Sequence, residues 1–275
     1  MFSKFKIILV LIIMTVVPTY LYSDNYPTGG ASVSLANSTV ACVSVWSVHH
    51  NQAALGFIEG SNAGVFYQTN FLLTEIATKS LVFNYSFGKS SIGLEATSFG
   101  FSKYSDNKIG LAYGLEIFKN FAIGAQIDYL NIHQMSEYGD IHLFTAEIGL
   151  MAKPTDNLSV GVHVYNPWRT KLSKSTDLYV NTIFKAGLSY KFNDNVIFMA
   201  QVDKDLDLPT EFKTGIEYAI VEKIYLRLGA SVFQNQWTPC FGLGYKIKNF
   251  GFDLAFENRP IVGMFSGLSI EYRFK

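Results

Sequence analysis

Histidine, serine and acidic side chains are the groups of this chain that could perform catalysis or bind a metal. The five histidines are His49, His50, His133, His142 and His163. His133 and His142 could approach each other across a predicted turn, but no Gly-x-Ser-x-Gly motif supplies the serine of a hydrolase. Adjacent rings such as those of His49 and His50 cannot easily turn toward one metal ion, so we interpret them as polar contacts of an N-terminal segment.

Other sequence signatures of catalysis are absent. The sequence has no Walker loop, no Cys-x-x-Cys pair and no pair of carboxylates at a defined spacing. Its two cysteines, Cys42 and Cys240, could form a disulfide in an exported chain, or they could be buried thiols that act as small hydrophobes. We therefore predict that the protein is not an enzyme and has neither a metal site nor another cofactor.

The composition is unusual for a globular domain. Charged residues make up 16% and aromatic residues 15% of the 275 residues, and the formal net charge is zero. A typical domain has about 25% charged residues. A nucleic-acid binder would need a basic stripe, so binding to nucleic acid is not predicted. Beyond the N-terminus no apolar run reaches about 18 residues, which argues against transmembrane helices.

The dominant pattern is an alternation of apolar residues with small or polar ones, from Asn62 to the C-terminus. This period of two is typical of β-strands. We count fourteen strand-like segments, near 62–71, 76–87, 90–101, 108–118, 121–134, 140–152, 157–166, 180–192, 195–203, 211–220, 223–234, 237–247, 249–257 and 264–274. An even number of strands, with short turns that alternate with longer links such as 102–107, is typical of outer-membrane barrels. Pro239 is the one residue that argues against its segment.

One face of the predicted strands is apolar and the other carries polar and charged residues. A Lys or Arg that faces lipid at mid-bilayer costs about 2–4 kcal/mol, so the polar face must be the lumen. The predicted lumen-facing residues are Glu95, Glu116, Gln126, Asp128, Glu147, Lys185, Lys213, Glu217, Arg227, Asp253, Glu271 and Arg273. Because both signs are present, these residues could form a network that fills a narrow barrel, or they could line a path for translocation.

The N-terminus differs from the barrel segments. Lys4 and Lys6 precede an apolar stretch over 7–17, which predicts a signal peptide over residues 1–23 and export through the periplasm. Residues 24–61 are rich in small residues and have apolar residues too dispersed for lipid-facing strands. We predict that this segment is a plug or periplasmic lid ahead of a transmembrane antiparallel β-barrel over 62–275.

The same N-terminal block carries a family resemblance. The run 29–36, with Gly29 and Gly30, and the later run 51–55 resemble the opening of the PorV/PorQ proteins and of the wider FadL-like barrels. The positions of this plug motif are Gly29, Gly30, Asn51, Gln52, Ala53 and Leu55. Gln52 stands where the family has Pro and Ala54 where it has Gly. The resemblance implies a fourteen-stranded barrel with an N-terminal segment in the lumen.

Two functions follow from this resemblance. The first is an accessory or scaffold protein of the type IX secretion apparatus, with other secretion-system proteins as partners. The alternative is a FadL-like passive channel for hydrophobic small molecules. In both cases we expect a bacterial outer-membrane protein in contact with lipid. A purely structural role in that membrane stays open as a third function.

Overall fold

The computed structural model describes residues 26–70, 73–134, 139–172, 177–260 and 263–274; the predicted signal peptide lies outside these ranges. Fourteen antiparallel strands form one closed barrel, in which β1 pairs with β14 and every other strand pairs with its neighbours in sequence. The strands are β1 (Ser61–Asn70), β2 (Leu73–Phe87), β3 (Ser90–Phe101), β4 (Tyr104–Phe118), β5 (Phe121–His133), β6 (Asp140–Thr155), β7 (Leu158–Tyr165), β8 (Ile183–Lys191), β9 (Val196–Asp205), β10 (Glu211–Val221), β11 (Ile224–Phe233), β12 (Gln236–Ile247), β13 (Phe250–Arg259) and β14 (Gly263–Arg273). The predicted fourteen-stranded barrel is confirmed.

Side chains along each strand alternate between the two faces of the sheet. The closed barrel therefore has an apolar outer face and a more polar inner face. In β4, Ile109 and Leu111 face outward and are 58% and 57% exposed. Ala112, the next residue along the strand, faces the lumen and is 1% exposed. The other strands repeat this pattern, so the outer surface is a continuous band of Leu, Ile, Val and aromatic side chains. Such a band suits contact with lipid rather than water. No described helix is long and apolar enough to cross a membrane.

The two ends of the barrel differ in their connections. The end that holds Ser61 and Arg273, here called the terminal end, has short turns such as 88–89, 119–120 and 248–249. The opposite loop end has the longest link of the barrel, over 166–182.

The prediction of a longer link over 102–107 is wrong. Residues 104–107 continue strand β4 and pair with β3, with Asp106 opposite Phe99, so only residues 102–103 connect the two strands. This run is polar because Asp106 faces the lumen, where a polar side chain fits the alternation of the strand, so its composition resembles that of a loop.

Pro239 lies within β12. It pairs with Ala230 of β11, but the ladder between β12 and β13 begins only at Cys240.

Residues 26–60, here called the plug, fill the lumen. They form the short helices α1 (Gly30–Ser34) and α2 (Ser47–His50) and the 3₁₀ helix η1 (Gln52–Phe57). Helix η1 packs against β4, β5 and β6, whereas α1 packs against β12 and β13. The plug therefore contacts both sides of the barrel. Its apolar side chains form the main core together with a few inward residues of the wall: Val33, Val45, Trp46, Val48, Leu55 and Ile58 from the plug, and Phe66, Val82, Ala112 and Ala255 from the strands.

Candidate functional site in the barrel lumen

A track of inward-facing glycines receives the backbone of the plug. Gly114, Gly124 and Gly149 lie opposite one another on β4, β5 and β6. A Cβ atom on Gly124 would overlap the main chain of Gln52 and Ala53, and one on Gly114 would lie 2.5 Å from the Gln52 carbonyl oxygen. The absence of side chains on this part of the wall thus allows η1 to lie directly against it.

Asn51 fastens the plug at the same place. Its amide nitrogen donates to the carbonyl oxygens of Val40, at 2.7 Å, and Leu150 of the wall, at 3.2 Å. Its amide oxygen accepts from the Ala53 N–H at 3.1 Å and so caps the start of η1. Asn51 is completely buried, so its hydrogen bonds are made away from water and their loss would be costly.

A buried charge network lies next to this track. Lys108 of β4 donates to Glu147 of β6, with its Nζ 2.9 Å from Oε1, and lies 3.2 Å from Oε2 of Glu95 on β3. Both carboxylates are fully buried. One lysine between two carboxylates holds the three strands together through the lumen. The charges are paired, which is what allows them to be buried at all.

The plug is tied into this network by two of its side chains. His49 Nδ1 lies 2.6 Å from Glu95 Oε1, and Gln52 Nε2 donates to Glu147 Oε2 at 2.7 Å. His163 of β7 completes the cluster, with its Nε2 2.8 Å from the same Glu147 oxygen. The wall carboxylates therefore bind both the neighbouring strands and the plug, and the network restrains the plug in the lumen.

A second polar cluster fixes the plug on the opposite wall. Arg227 binds Glu217 through Nε at 2.5 Å and Asp253 through NH1 at 2.6 Å. The other oxygen of Asp253 accepts from Ser269 Oγ at 3.1 Å, and this hydroxyl in turn accepts from the N–H of Gly30 in the plug. The backbone of the plug is thus held on this side by a chain of hydrogen bonds that begins at a buried arginine.

The predicted lumen-facing residues fall into groups. Glu95, Gln126, Asp128 and Glu147 lie in the first network, where the Gln126 amide donates to both Glu95 and Asp128. A second set, which comprises Glu217, Arg227, Asp253 and Glu271, lies in or beside the second cluster, and Glu271 accepts from Trp46 Nε1 of the plug. Lys185 and Lys213 line a cavity toward the loop end.

Two predicted residues lie at the terminal end. Glu116 accepts from the Asn120 N–H and so supports the β4–β5 turn. Arg273 is exposed and lies near Asn62, across the contact between β14 and β1. Lys108 and His163 also face the lumen but were not among the predicted residues, although both have the parity of inward residues. Lys108 is in register with the inward Thr97 of β3.

The residues that resemble a family motif lie at close contacts, which are within the plug for Gly29 and between plug and wall for the others. Gly29 has a positive φ of 88°, and a Cβ there would lie 2.6 Å from the Trp46 ring, so only glycine fits without strain. Gly30 meets Asp253 and Ser269, as described above. The remaining motif positions, Asn51, Gln52, Ala53 and Leu55, are 0% exposed.

Cavities lie on both sides of the plug within the described residues. One of about 350 Å³ is at the loop end, and cavities of about 340 Å³ and 260 Å³ are at the terminal end. The plug lies between the loop-end cavity and the two others, because Asn37 and His50 line the first while Ser32 and Cys42 line the second. Within the described residues, the two cysteines are free thiols and no group of three or more His, Cys, Asp or Glu side chains could hold a metal ion.

An apolar cluster lies on the inner wall near the loop end. Its buried members are Leu130, Ile132, Tyr165, Leu172 and Val180. The last two belong to the described parts of the β7–β8 link, 166–172 and 177–182, and are buried against the wall. Ile183 packs against this cluster and also lines the loop-end cavity. Ile183 therefore connects the apolar cluster to the loop-end cavity.

Comparison with solved structures identifies barrels of the same architecture, whereas comparisons with family models and with curated proteins yield no match. The toluene transporter TbuX of Ralstonia pickettii is 14% identical, with a TM-score of 0.69 over 90% of this chain and 98% of that chain. A Pseudomonas aeruginosa FadL homologue is 12% identical, with a TM-score of 0.69 over 91% and 99%. The CymD monoaromatic hydrocarbon channel is 13% identical, with a TM-score of 0.68 over 90% and 98%. At such low identity these similarities show a shared fold.

Proposed function

We propose that the protein is a passive channel of the bacterial outer membrane for small, partly apolar molecules, and that the plug moves aside during passage. The observation that supports this most is the position of the plug between cavities at the two ends of the barrel. Hydrogen bonds and ion pairs hold it against the wall, and neither cysteine links the two covalently. Such contacts can be exchanged for others, so the plug is able to shift without unfolding of the barrel.

The apolar part of the substrate is inferred from the loop end. Ile183 and Phe233 line the loop-end cavity with apolar side chains, and Ile183 packs against the buried apolar cluster. Barrels of this architecture include proteins described as toluene transporters and as a monoaromatic hydrocarbon channel. A molecule with an apolar portion would contact these two side chains, while its polar portion would meet the charged residues of the same cavity.

A second candidate is an accessory or scaffold role in type IX secretion, as the PorV/PorQ resemblance implies. It is favoured by the dense contacts between plug and wall, since a scaffold needs no open path. Gentle detergent extraction of the tagged protein, followed by mass spectrometry, tests this role. Secretion-system proteins in stoichiometric amount would support the scaffold, and a retained small molecule without protein partners would support the channel.

The proposed channel can be tested by locking the plug. An ideal Cβ on Gly215 of β10 lies 3.0 Å from the Cβ of Leu35 in the plug. A disulfide needs about 3.5–4.5 Å between these atoms, so a small shift would allow Leu35→Cys and Gly215→Cys to bond. Uptake of a radiolabelled monoaromatic compound by cells that carry this double variant should be blocked under oxidising conditions and restored by a reductant.

The design includes matched controls. Cys42→Ala and Cys240→Ala should be present in all variants, because the native thiols are free and could pair wrongly with the new ones. The Leu35→Cys variant alone, treated with the same oxidant, should transport normally. If the oxidised double variant forms its disulfide and still takes up the compound as fast as the reduced one, a plug that must move is refuted.

A further inference from the structure

The loop-end cavity has an unusual set of charges. Lys213 Nζ lies 2.6 Å from Asp203 and 3.0 Å from Glu211, so two carboxylates share one ammonium group. Arg259 and Glu257 pair with each other through two hydrogen bonds of 2.7 and 3.2 Å. Lys213 balances only one of the two carboxylates, and Arg259 balances Glu257. One negative charge therefore remains unbalanced on the side of the cavity that holds Asp203 and Glu211.

Lys185 is the matching surplus positive charge. It lines the same cavity and is only 8% exposed, yet it makes no hydrogen bond or ion pair within the described ranges. Its neighbours across the sheet are already engaged. His163 binds Glu147, and the two oxygens of Asp203 accept from Lys213 and Gln201.

A buried ammonium group without hydrogen bonds is costly, because it loses its hydration and gains nothing in return. Three N–H donors of Lys185 are thus available at the wall of a cavity of about 350 Å³. That volume is within the range of about 300–1,000 Å³ typical of small-molecule sites. A carboxylate is a group that would satisfy these donors with charge-assisted hydrogen bonds.

The opposite charge is available two strands away. Glu211 lies beyond Asp203 in the same row across β8, β9 and β10. Its Oε2 contacts Lys213, whereas its Oε1 has no hydrogen bond among the described residues. A ligand with only a carboxylate would satisfy Lys185 and leave the cavity with a net negative charge. A ligand with both a carboxylate and an ammonium group satisfies both surplus charges and leaves the cavity neutral.

We propose that the loop-end cavity binds a small zwitterion of the amino-acid type, with its carboxylate on Lys185, its ammonium group toward Glu211 and its apolar portion against Ile183 and Phe233. Both apolar residues line the cavity. The proposal names the substrate class of the proposed channel and in that sense rests on it. Binding itself requires only the folded barrel with its plug in place.

Three compounds with related skeletons test the proposal on the purified full-length protein in detergent. Isothermal titration calorimetry should detect binding of L-phenylalanine, at least tenfold weaker binding of 3-phenylpropanoate, which lacks the ammonium group, and weaker binding still of 2-phenylethylamine, which lacks the carboxylate. Binding of 3-phenylpropanoate as tight as that of phenylalanine, or no binding of phenylalanine, would overturn the proposal.

Variants assign the two ends of the ligand. Lys185→Met should weaken phenylalanine binding at least tenfold, and Lys185→Arg, which keeps the charge, should retain most of it. Glu211→Gln should weaken phenylalanine binding similarly but leave binding of 3-phenylpropanoate unchanged or stronger. Lys223→Met, at an exposed turn of the terminal end, is the matched control. Equal affinity for phenylalanine in Lys185→Met and the control would refute the assignment.

Folding and transport are checked separately. Each variant should retain the heat-modifiable electrophoretic mobility of a folded barrel, and the loss of a buried unpaired charge in Lys185→Met gives no reason for unfolding. If phenylalanine binds as expected but the disulfide-locked plug does not block uptake, the proposed channel fails and the binding site stands. If the lock blocks uptake and phenylalanine does not bind, the channel stands and the zwitterion site fails.

Discussion

The imidazole of His49 in the plug contacts the carboxylate of Glu95 in the barrel wall, with Nδ1 2.6 Å from Oε1. Both side chains are almost completely buried, and Lys108 lies on the other side of Glu95 at 3.2 Å. The same carboxylate therefore neutralises a wall lysine and holds the plug. A movement of the plug that displaces His49 must break this contact.

Glu95→Gln should loosen the plug while the barrel stays folded. The amide keeps the shape of the side chain but removes the charge, and Lys108 retains Glu147 as a partner. Removal of one member of a buried pair costs about 3–5 kcal/mol. A loss of about 3 kcal/mol corresponds to a roughly hundredfold larger open population. Current through the protein in planar lipid bilayers should rise accordingly.

The matched control for this variant is Glu222→Gln. Glu222 is exposed in the β10–β11 turn at the terminal end, so its variant should conduct like the unmodified protein. Equal currents for both variants would show that the Glu95 contact does not restrain the plug. A barrel that loses its heat-modifiable mobility in Glu95→Gln would show instead that the network stabilises the wall.

Two glycine-to-alanine variants should separate steric displacement of the plug from a general loss of stability. In Gly124→Ala the new methyl group would overlap the main chain of Gln52 and Ala53, and neither partner can yield easily. In Gly251→Ala the nearest atoms are 3.6 Å away in the Glu271 side chain, which is ordinary contact distance. Both glycines lie in strands and face the lumen.

We therefore expect Gly124→Ala to expose the plug to added protease in purified, detergent-solubilised protein, and Gly251→Ala to leave it protected. Mass spectrometry of the fragments would identify cleavage within residues 26–60. Cleavage of neither variant, or equal cleavage of both, would contradict the idea that the glycine track seats η1.

The number of strands and the side that each residue faces could be predicted from sequence, because the alternation of β-strands is local. Ile109 and Ala112 show their opposite exposures in the sequence pattern itself. The partners of the inward residues could not be predicted. Lys108 meets Glu95 on one side and Glu147 on the other only because β3 to β6 are adjacent in a closed sheet with a particular register.

The ends of the strands and the partners of the plug side chains were also difficult to predict from the sequence. Asp106 was placed in a loop because a polar run at the edge of a strand has the same composition as a turn. The engagement of Gln52 with a buried carboxylate was also beyond the sequence, since nothing local indicates which wall residue a plug side chain reaches. Long-range contacts of this kind depend on the fold of the whole chain.

The restraint on the plug should weaken in acid because of His50. Burial, together with the nearby His49 and Lys185, lowers the pKa of His50 well below its ordinary value of 6.5. A histidine with a lowered folded-state pKa stabilises the plugged state fully above about pH 6.5, and this stabilisation is lost as the pH falls below it. Channel current should thus rise between pH 7 and pH 5.

His50→Gln should make this pH response shallower, since glutamine does not titrate and can still donate to the Thr28 carbonyl that His50 contacts at 2.9 Å. The pKa of His49 is also lowered by burial, so part of the response should remain. The control is His133→Gln, because His133 is exposed at the loop end beside Asp140 and its variant should keep the full pH response. An unchanged response in His50→Gln would contradict the prediction.

Asn166 should control the link that covers the apolar cluster. Its side chain donates to the Val180 carbonyl at 2.8 Å and accepts from Thr145 at 2.9 Å and from the Thr170 N–H at 3.0 Å. Its φ of 51° is in the left-handed region, which asparagine tolerates better than most residues. One side chain therefore holds the two described parts of the link, at Thr170 and at Val180.

Asn166→Ala loses these hydrogen bonds and also strains the backbone, whereas Asn166→Gly loses the hydrogen bonds but accepts the positive φ. We expect the link to open in both variants, with Ala the more destabilised by about 1 kcal/mol. Hydrogen exchange read by mass spectrometry should show loss of protection over residues 177–182, while β4 and β5 stay protected. Full protection of these residues in Asn166→Ala would mean that Leu172 and Val180, through their packing on Leu130, suffice to hold the link.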